Sequence, residues 1–329
     1  MKLALILWTL LLGLMFVLAA QPLAADAQIV LSATLFFALV VLARFPRKGF
    51  FRVLFIGIAS FIVLRYIVWR TSGTIPPIQD LLSFIPGVLL YGAEVYAICM
   101  FFISMFVVID PMRRPRLALS AEDEAELPTV DVLVPTYDEP AHILAATLSA
   151  AKRMHYPQDK INIYLLDDGG TDEKRLASQE AVQRAQLLQE LCRGLKVTYL
   201  TRPANGNAKA GNLNAALEHI HGELVVVFDA DHAPTEDFLQ ETVGYFAKNP
   251  KLFLVQTPHF FINPDPLERS LNTFDRMPSE NEMFYGVVQR GLDRWGASFF
   301  CGSAAVLRRS ALEQVGGFSG RTIVEDCET

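Results

Sequence analysis

Apolar and polar positions divide the chain near residue 110. Before that point four long apolar runs follow one another. Residues 3–20 and 29–43 carry no charge, 53–69 is broken only by Arg65, and 81–109 only by Glu94. A helix needs roughly 20 apolar residues to cross a bilayer. The runs therefore predict about four transmembrane helices within residues 1–110. Ala27 and Gln28 lengthen the second, and an interfacial piece is expected before Pro86 in the fourth. After an acidic connector at 111–128 the pattern changes to short apolar runs alternating with amphipathic stretches. Strands are expected at 130–134, 161–166, 196–201, 223–228 and 252–256, and helices at 141–153, 172–192, 210–220 and 236–248. Repeated βα units with continuously apolar strands give a mostly parallel sheet covered on both faces. The expected fold is thus an α-helical transmembrane segment followed by an α/β domain over 129–329.

Composition sharpens this division. The chain has 329 residues, 52% hydrophobic and 19% charged. Only 11 charged side chains lie in the first 110 residues, against 53 in the rest, which excludes a purely cytosolic or disordered protein. Net charge is +3 up to Asp110 and −9 after it, so nucleic acid is not expected as a partner. Arg44, Arg47, Lys48 and Arg52 lie between the second and third runs, and Arg113, Arg114 and Arg116 follow the fourth, whereas 21–28 has no Lys or Arg and 70–80 only Arg70. Positive-inside orientation puts the N-terminus, the 44–52 loop and everything after Asp110 in the cytoplasm. Cleavage near Ala25-Asp26-Ala27, with the first run as a signal peptide, leaves that orientation of the body unchanged. Arg65 and Glu94, ionisable groups at membrane depth, are expected to pair, to line a polar path, or to be held singly by snorkelling and helix packing. Cys99, Cys192, Cys301 and Cys327 have neither metal-ligand spacing nor a disulfide pattern.

In an α/β sheet ligands gather outside the carboxyl ends of the strands. Three acidic segments fall there: Thr136-Tyr137-Asp138-Glu139-Pro140, Asp167-Asp168-Gly169-Gly170 and Asp229-Ala230-Asp231-His232. Asp229 and Asp231 leave the same face of an extended chain, and hard carboxylate oxygens suit Mg2+ or Mn2+ shared with a diphosphate. Asp167 and Asp168 equally fit a turn. Lys209, at the start of a predicted helix, suits an anion. Near the C-terminus, Glu325 or Asp326 suits a general base.

The stretches 130–140, 167–172, 208–212, 225–232, 255–266, 280–285, 299–306 and 322–329 resemble the bacterial cellulose synthase catalytic subunits, processive inverting family 2 glycosyltransferases with a GT-A fold. The resemblance covers roughly residues 85–329. It implies that Tyr137 and Glu139 lie at the uracil end of UDP and that Asp167, Asp168 and Lys209 contact the nucleotide. It further implies that Asp229 and Asp231 serve metal and diphosphate, that Phe299, Phe300, Cys301 and Gly302 flank the acceptor sugar, and that Asp326 is the catalytic base. The implied reaction is glucosyl transfer from UDP-glucose to the 4-hydroxyl of a growing β-1,4-glucan, coupled to export, with a periplasmic accessory subunit as partner. Val324 stands where the family usually has Thr. The family's Gln-x-x-Arg-Trp motif, later membrane helices and cyclic-di-GMP-binding domain are expected beyond Thr329, so the sequence reads as an N-terminal portion that is inactive alone. The segment Gln289–Trp295 has the wrong spacing for that motif.

Overall fold

The computed structural model describes residues 13–45, 49–117, 127–322 and 324–329. Residues 3–12 of the first predicted span, part of the basic 44–52 loop, most of the acidic connector and Ile323 lie outside the described residues. The chain forms two compact units, one gathering Met1–Met112 with Arg290–Gly296, the other Arg113–Gln289 with Ala297–Thr329.

In the first unit residues 13–20 are helical, followed by α1 (Ala25–Leu42), α2 (Phe50–Gly73) and α3 (Leu81–Val108). These three helices are long and apolar enough to cross a membrane. α3 is one continuous helix of 28 residues, and it includes the residues before Pro86. Asp80 caps it by accepting from the Ser83 amide, and Pro86 lies inside it, where it brings no backbone N–H to the helix. Of the readings open for Arg65 and Glu94, mutual pairing does not occur: each has another partner. Arg70, inside α2 rather than in the following loop, holds Glu94 at 2.7 Å and donates to the Thr74 carbonyl and hydroxyl. Arg65 instead bonds Gln28 and the carbonyls of Ala19 and Gln21, tying down the turn before α1. The two arginines are five positions apart, about 140° around a helix, so they address different neighbours. Arg290–Gly296 packs on the end of α3, with Trp295 stacked on Phe106 and Arg294 paired with Asp110.

The second unit holds a six-stranded sheet in the order β3-β2-β1-β4-β6-β5, formed by β1 (Val130–Thr136), β2 (Ile161–Asp167), β3 (Thr198–Leu200), β4 (Leu224–Val227), β5 (Leu254–Gln256) and β6 (Ala305–Arg308). The first four are parallel, and β6 runs antiparallel to both β4 and β5. All seven residues of β1 are buried, the signature of a strand covered on both faces. One face packs on α4 (Ala141–Lys152) and α6 (Gln179–Leu195), with Leu144, Leu148 and Leu188 buried. The other packs on α7 (Ala208–Leu217), with Leu213, Phe300, Leu312 and Phe318. Two predicted helices are each divided, into α5 (Asp172–Ala177) and α6 at extended Ser178, and into Phe238–Thr242 and Gly244–Lys248 at Val243. The sequence pattern did not reveal β6.

Buried Asp131 closes the end of the sheet opposite the acidic tips. It accepts from Asn162 and from the amides of His221 and Gly222, so its charge is met by three donors.

Candidate active site

The tips of β1, β2 and β4 carry the acidic segments, because parallel strands place their carboxyl ends on one edge. Their surroundings differ sharply.

At the β1 tip Tyr137 is exposed, and the Lys174 ammonium of α5 lies 3.4 Å over its ring. Glu139 turns back on its own loop, accepting from the Thr136 hydroxyl at 2.5 Å and from the Tyr137 and Asp138 amides. Burial alone would raise its carboxyl, but these donors hold it below the ordinary glutamate value.

At the β2 tip both carboxylates are enclosed. Asp167 has no exposed surface and meets Arg184 at 2.6 Å, the Tyr199 hydroxyl at 2.7 Å and the Gly169 amide at 2.9 Å. Asp168 is 4% exposed and both its oxygens are gripped by Arg202, at 2.7 and 2.6 Å. Gly170 lets Asp167 and Tyr199 close in, since a Cβ there would strike both.

The β4 tip is open. Asp231 keeps 70% of its side-chain surface and Asp229 35%. His232 lies between them, with ring nitrogens 3.8 Å from Asp229 and 3.9 Å from Asp231. Lys209, in the first turn of α7, reaches Asp229 at 2.7 Å and the Gly302 carbonyl at 2.8 Å, and stands 4.0 Å from Asp326. Gly302 has φ +81°, and a Cβ on it would collide with the Asp326 carboxylate. Glycine is therefore needed here both for backbone conformation and for space. Burial pushes Asp326 above the usual aspartate range; Lys209 opposes the rise, while Glu325 and Asp229 add to it.

Behind this tip stands a polar wall absent from the sequence-derived site. The Ser303 hydroxyl accepts from the Asp229 amide at 2.8 Å and bonds His232 Nδ1 at 2.7 Å. His259 Nε2 donates to the Ser303 carbonyl at 2.7 Å, because a carbonyl only accepts, so its Nδ1 accepts from the Tyr285 hydroxyl at 2.9 Å. Burial lowers His259 below the ordinary histidine value, in keeping with this neutral tautomer. Gln256 bridges the Cys301 amide and the Ser303 carbonyl. Burial pushes the Cys301 thiol up to about 11, so it stays protonated and a poor nucleophile at neutral pH.

Among the residues expected to flank an acceptor, Phe299 and Cys301 are partly exposed and Gly302 adjoins Asp326. Phe300 departs from that expectation: it is 1% exposed and packs in the core near Phe318, because alternate side chains of this stretch point to opposite sides. His259 and Tyr285 lie in stretches that carried the family resemblance but had no assigned role. Arg184 and Arg202 had no sequence signal beyond positive charge.

Could the β4 tip hold a divalent ion? Among the described residues no three His, Cys, Asp or Glu side chains form a ready cage. Two carboxylates at an open tip nevertheless fit Mg2+ or Mn2+, which commonly take one or two carboxylates and complete their shell with phosphate oxygens and water.

Strand-tip carboxylates, a lysine at a helix start and a partly buried aspartate define an α/β protein that gathers its charged side chains along one edge of a mostly parallel sheet. The chain belongs to glycosyl transferase family 2, whose model matches residues 131–316. It is similar to the "Cellulose synthase catalytic subunit [UDP-forming]" of Pseudomonas fluorescens (strain SBW25), 41% identical over 97% of this chain and 41% of that protein. The like-named protein of Xanthomonas axonopodis pv. citri (strain 306) is 42% identical over 98% of this chain and 42% of its own length. The chain thus spans about two fifths of these relatives. A solved mannosyltransferase from Pyrobaculum calidifontis, in complex with GDP-Man and Mn2+, matches with a TM-score of 0.43 and 26% identity, over 65% of this chain and 54% of that one.

Proposed function

We propose that this chain carries the donor site and general base of a membrane-bound synthase that transfers glucose from UDP-glucose to a growing β-1,4-glucan. The observation that carries the reading is the meeting of Lys209, Asp229, Gly302 and Asp326, four residues far apart in sequence. The names of the relatives supply the donor and product.

Asp231 and Asp229 would hold Mg2+ or Mn2+, which when bound would supply positive charge against that developing on the departing UDP. Lys209 adds a fixed positive charge for the pyrophosphate. The Tyr137 ring stacks the uracil, and Glu139 braces the loop that presents it. Asp167 and Asp168 shape the nucleotide side of the site from their enclosed ion pairs. Phe299, Cys301 and Gly302 border the acceptor. Asp326 takes the proton from the acceptor's 4-hydroxyl as that oxygen bonds to the anomeric carbon. Its raised proton affinity makes it a better base than an exposed aspartate. Attack opposite the leaving group inverts an α-linked donor to a β-linked product, and no covalent enzyme intermediate is required.

The three membrane-capable helices anchor the catalytic domain at the cytoplasmic face of the inner membrane. The bilayer, the glucan and a periplasmic accessory subunit are the corresponding partners.

The test is donor competition with the full chain in lipid nanodiscs, followed by linkage analysis of glucan made by membranes carrying it within a full-length synthase. UDP-glucose is expected to displace UDP where GDP-mannose does not, and the glucan to be β-1,4-linked. Equal displacement by both donors, or a β-1,3-linked product, contradicts the reading.

A further inference from the structure

We infer that Arg202 is a positioning residue that carries the β2 tip to Lys209, and that Asp168 serves the donor site by holding Arg202 rather than by touching the nucleotide. This rests on the donor-site reading above. Arg202 follows β3 and is nearly buried, with 11% of its side chain exposed. Its guanidinium forms a fork on Asp168, with Nε at 2.7 Å from one oxygen and Nη2 at 2.6 Å from the other. Its remaining edges bond the Gly206 carbonyl at 2.7 Å and the Ala208 carbonyl at 2.9 Å. These two carbonyls frame the turn that opens α7.

That turn is held in an unfavourable backbone shape. Asn207 and Ala208 have φ +57° and +41°, left-handed values at residues that are not glycine. Such a conformation persists only where the surroundings over-determine it. Arg202 supplies two of the restraints. Gly211 supplies the space, since a Cβ there would meet both the Gly206 carbonyl and Arg202 Nη1. Lys209 is the next residue, and the turn sets where its ammonium meets Asp229 and Gly302. Asp168 has both oxygens committed to Arg202 and only 4% of its surface exposed, so it is poorly placed to bind a ligand directly. Lysine has no planar fork to span these four acceptors.

The first test needs no nucleotide. Reductive methylation of the full chain in nanodiscs, read by mass spectrometry, reports how well Lys209 is held. Arg202→Lys and Asp168→Asn are each expected to raise Lys209 labelling several-fold while leaving Lys160 and Lys248 unchanged. Unchanged Lys209 labelling in both variants, or an equal rise at all three lysines, overturns the proposal. The second test titrates UDP with Mg2+. Each variant is expected to weaken binding about tenfold to hundredfold, and to have little further effect when combined with Lys209→Gln. Should Arg202→Lys fail to fold, the Asp168→Asn cycle decides alone. An Asp168→Asn effect as large with Lys209→Gln as without it would show Asp168 touching the nucleotide itself and remove the inference. Absence of UDP binding by the parent chain, with the labelling result as expected, removes the donor-site reading and leaves the Arg202–Lys209 linkage standing.

Discussion

The tips of β2 and β4 each end in a pair of aspartates, yet they are built in opposite ways. Asp167 and Asp168 are enclosed, each matched to an arginine, and between them they expose almost nothing. Asp229 and Asp231 stay accessible, with one lysine reaching only the first of them. The difference teaches that a carboxylate's work depends on whether its charge is already answered. At β2 the negative charge is spent on architecture. At β4 it is left available to an incoming cation.

The sharpest way to break this comparison is to remove a charge from each tip and measure folding. Asp167→Ala strands Arg184 and Tyr199 and is expected to cost about 3–5 kcal/mol by chemical denaturation. Asp231→Ala is expected to stay within about 0.5 kcal/mol of the parent. Equal costs would erase the distinction. The helical unit extends it, because Arg70 and Glu94 are also an answered pair. Arg70→Met alone is expected to lower the melting temperature, and the double change with Glu94→Leu to lower it by less than the sum of the singles, as read by thermal unfolding in nanodiscs. Additive costs would mean that the two do not interact.

The smallest expected effects separate two carboxylates by sign. The fold raises the proton affinity of Asp326, so its ionised form costs stability above its folded pKa, and that cost disappears below the ordinary value of 3.8. Asp326→Asn should therefore melt slightly higher at pH 7, with the gain fading as the pH falls toward about 4. Glu139 is the reverse: its lowered carboxyl contributes stability above 4.5 that is lost as the pH falls through its folded value. Glu139→Gln should melt lower at pH 7, with the deficit closing in acid. Shifts of the same sign would show that the surroundings do not act on these groups as described.

Much of the framework was legible because it depends on local pattern. Long, nearly uncharged apolar runs marked the membrane-capable helices, and residues 130–134 were apolar enough to announce a covered strand. β6 was not legible because four residues, Ala305–Arg308, become a strand only through pairing with β4 and β5. Glu94 drew attention by its depth, but its partner depended on how far α2 runs, and the extension to Gly73 made it Arg70. The acidic tips were visible as motifs. Which of them were enclosed was not, since that is decided by Arg184 and Arg202, residues 17 and 34 positions from the carboxylates they hold. Ser303 and His259 were hidden for the same reason, their roles arising where a loop folds back behind β4.

The central claim, that the open β4 tip grips a metal-bound nucleoside diphosphate, is tested most directly by calorimetric titration of UDP into the full chain with and without Mg2+, for the parent and for Asp231→Asn. The account predicts Mg2+-dependent binding by the parent, lost in Asp231→Asn at an unchanged melting temperature. An identical titration for the two proteins would contradict it.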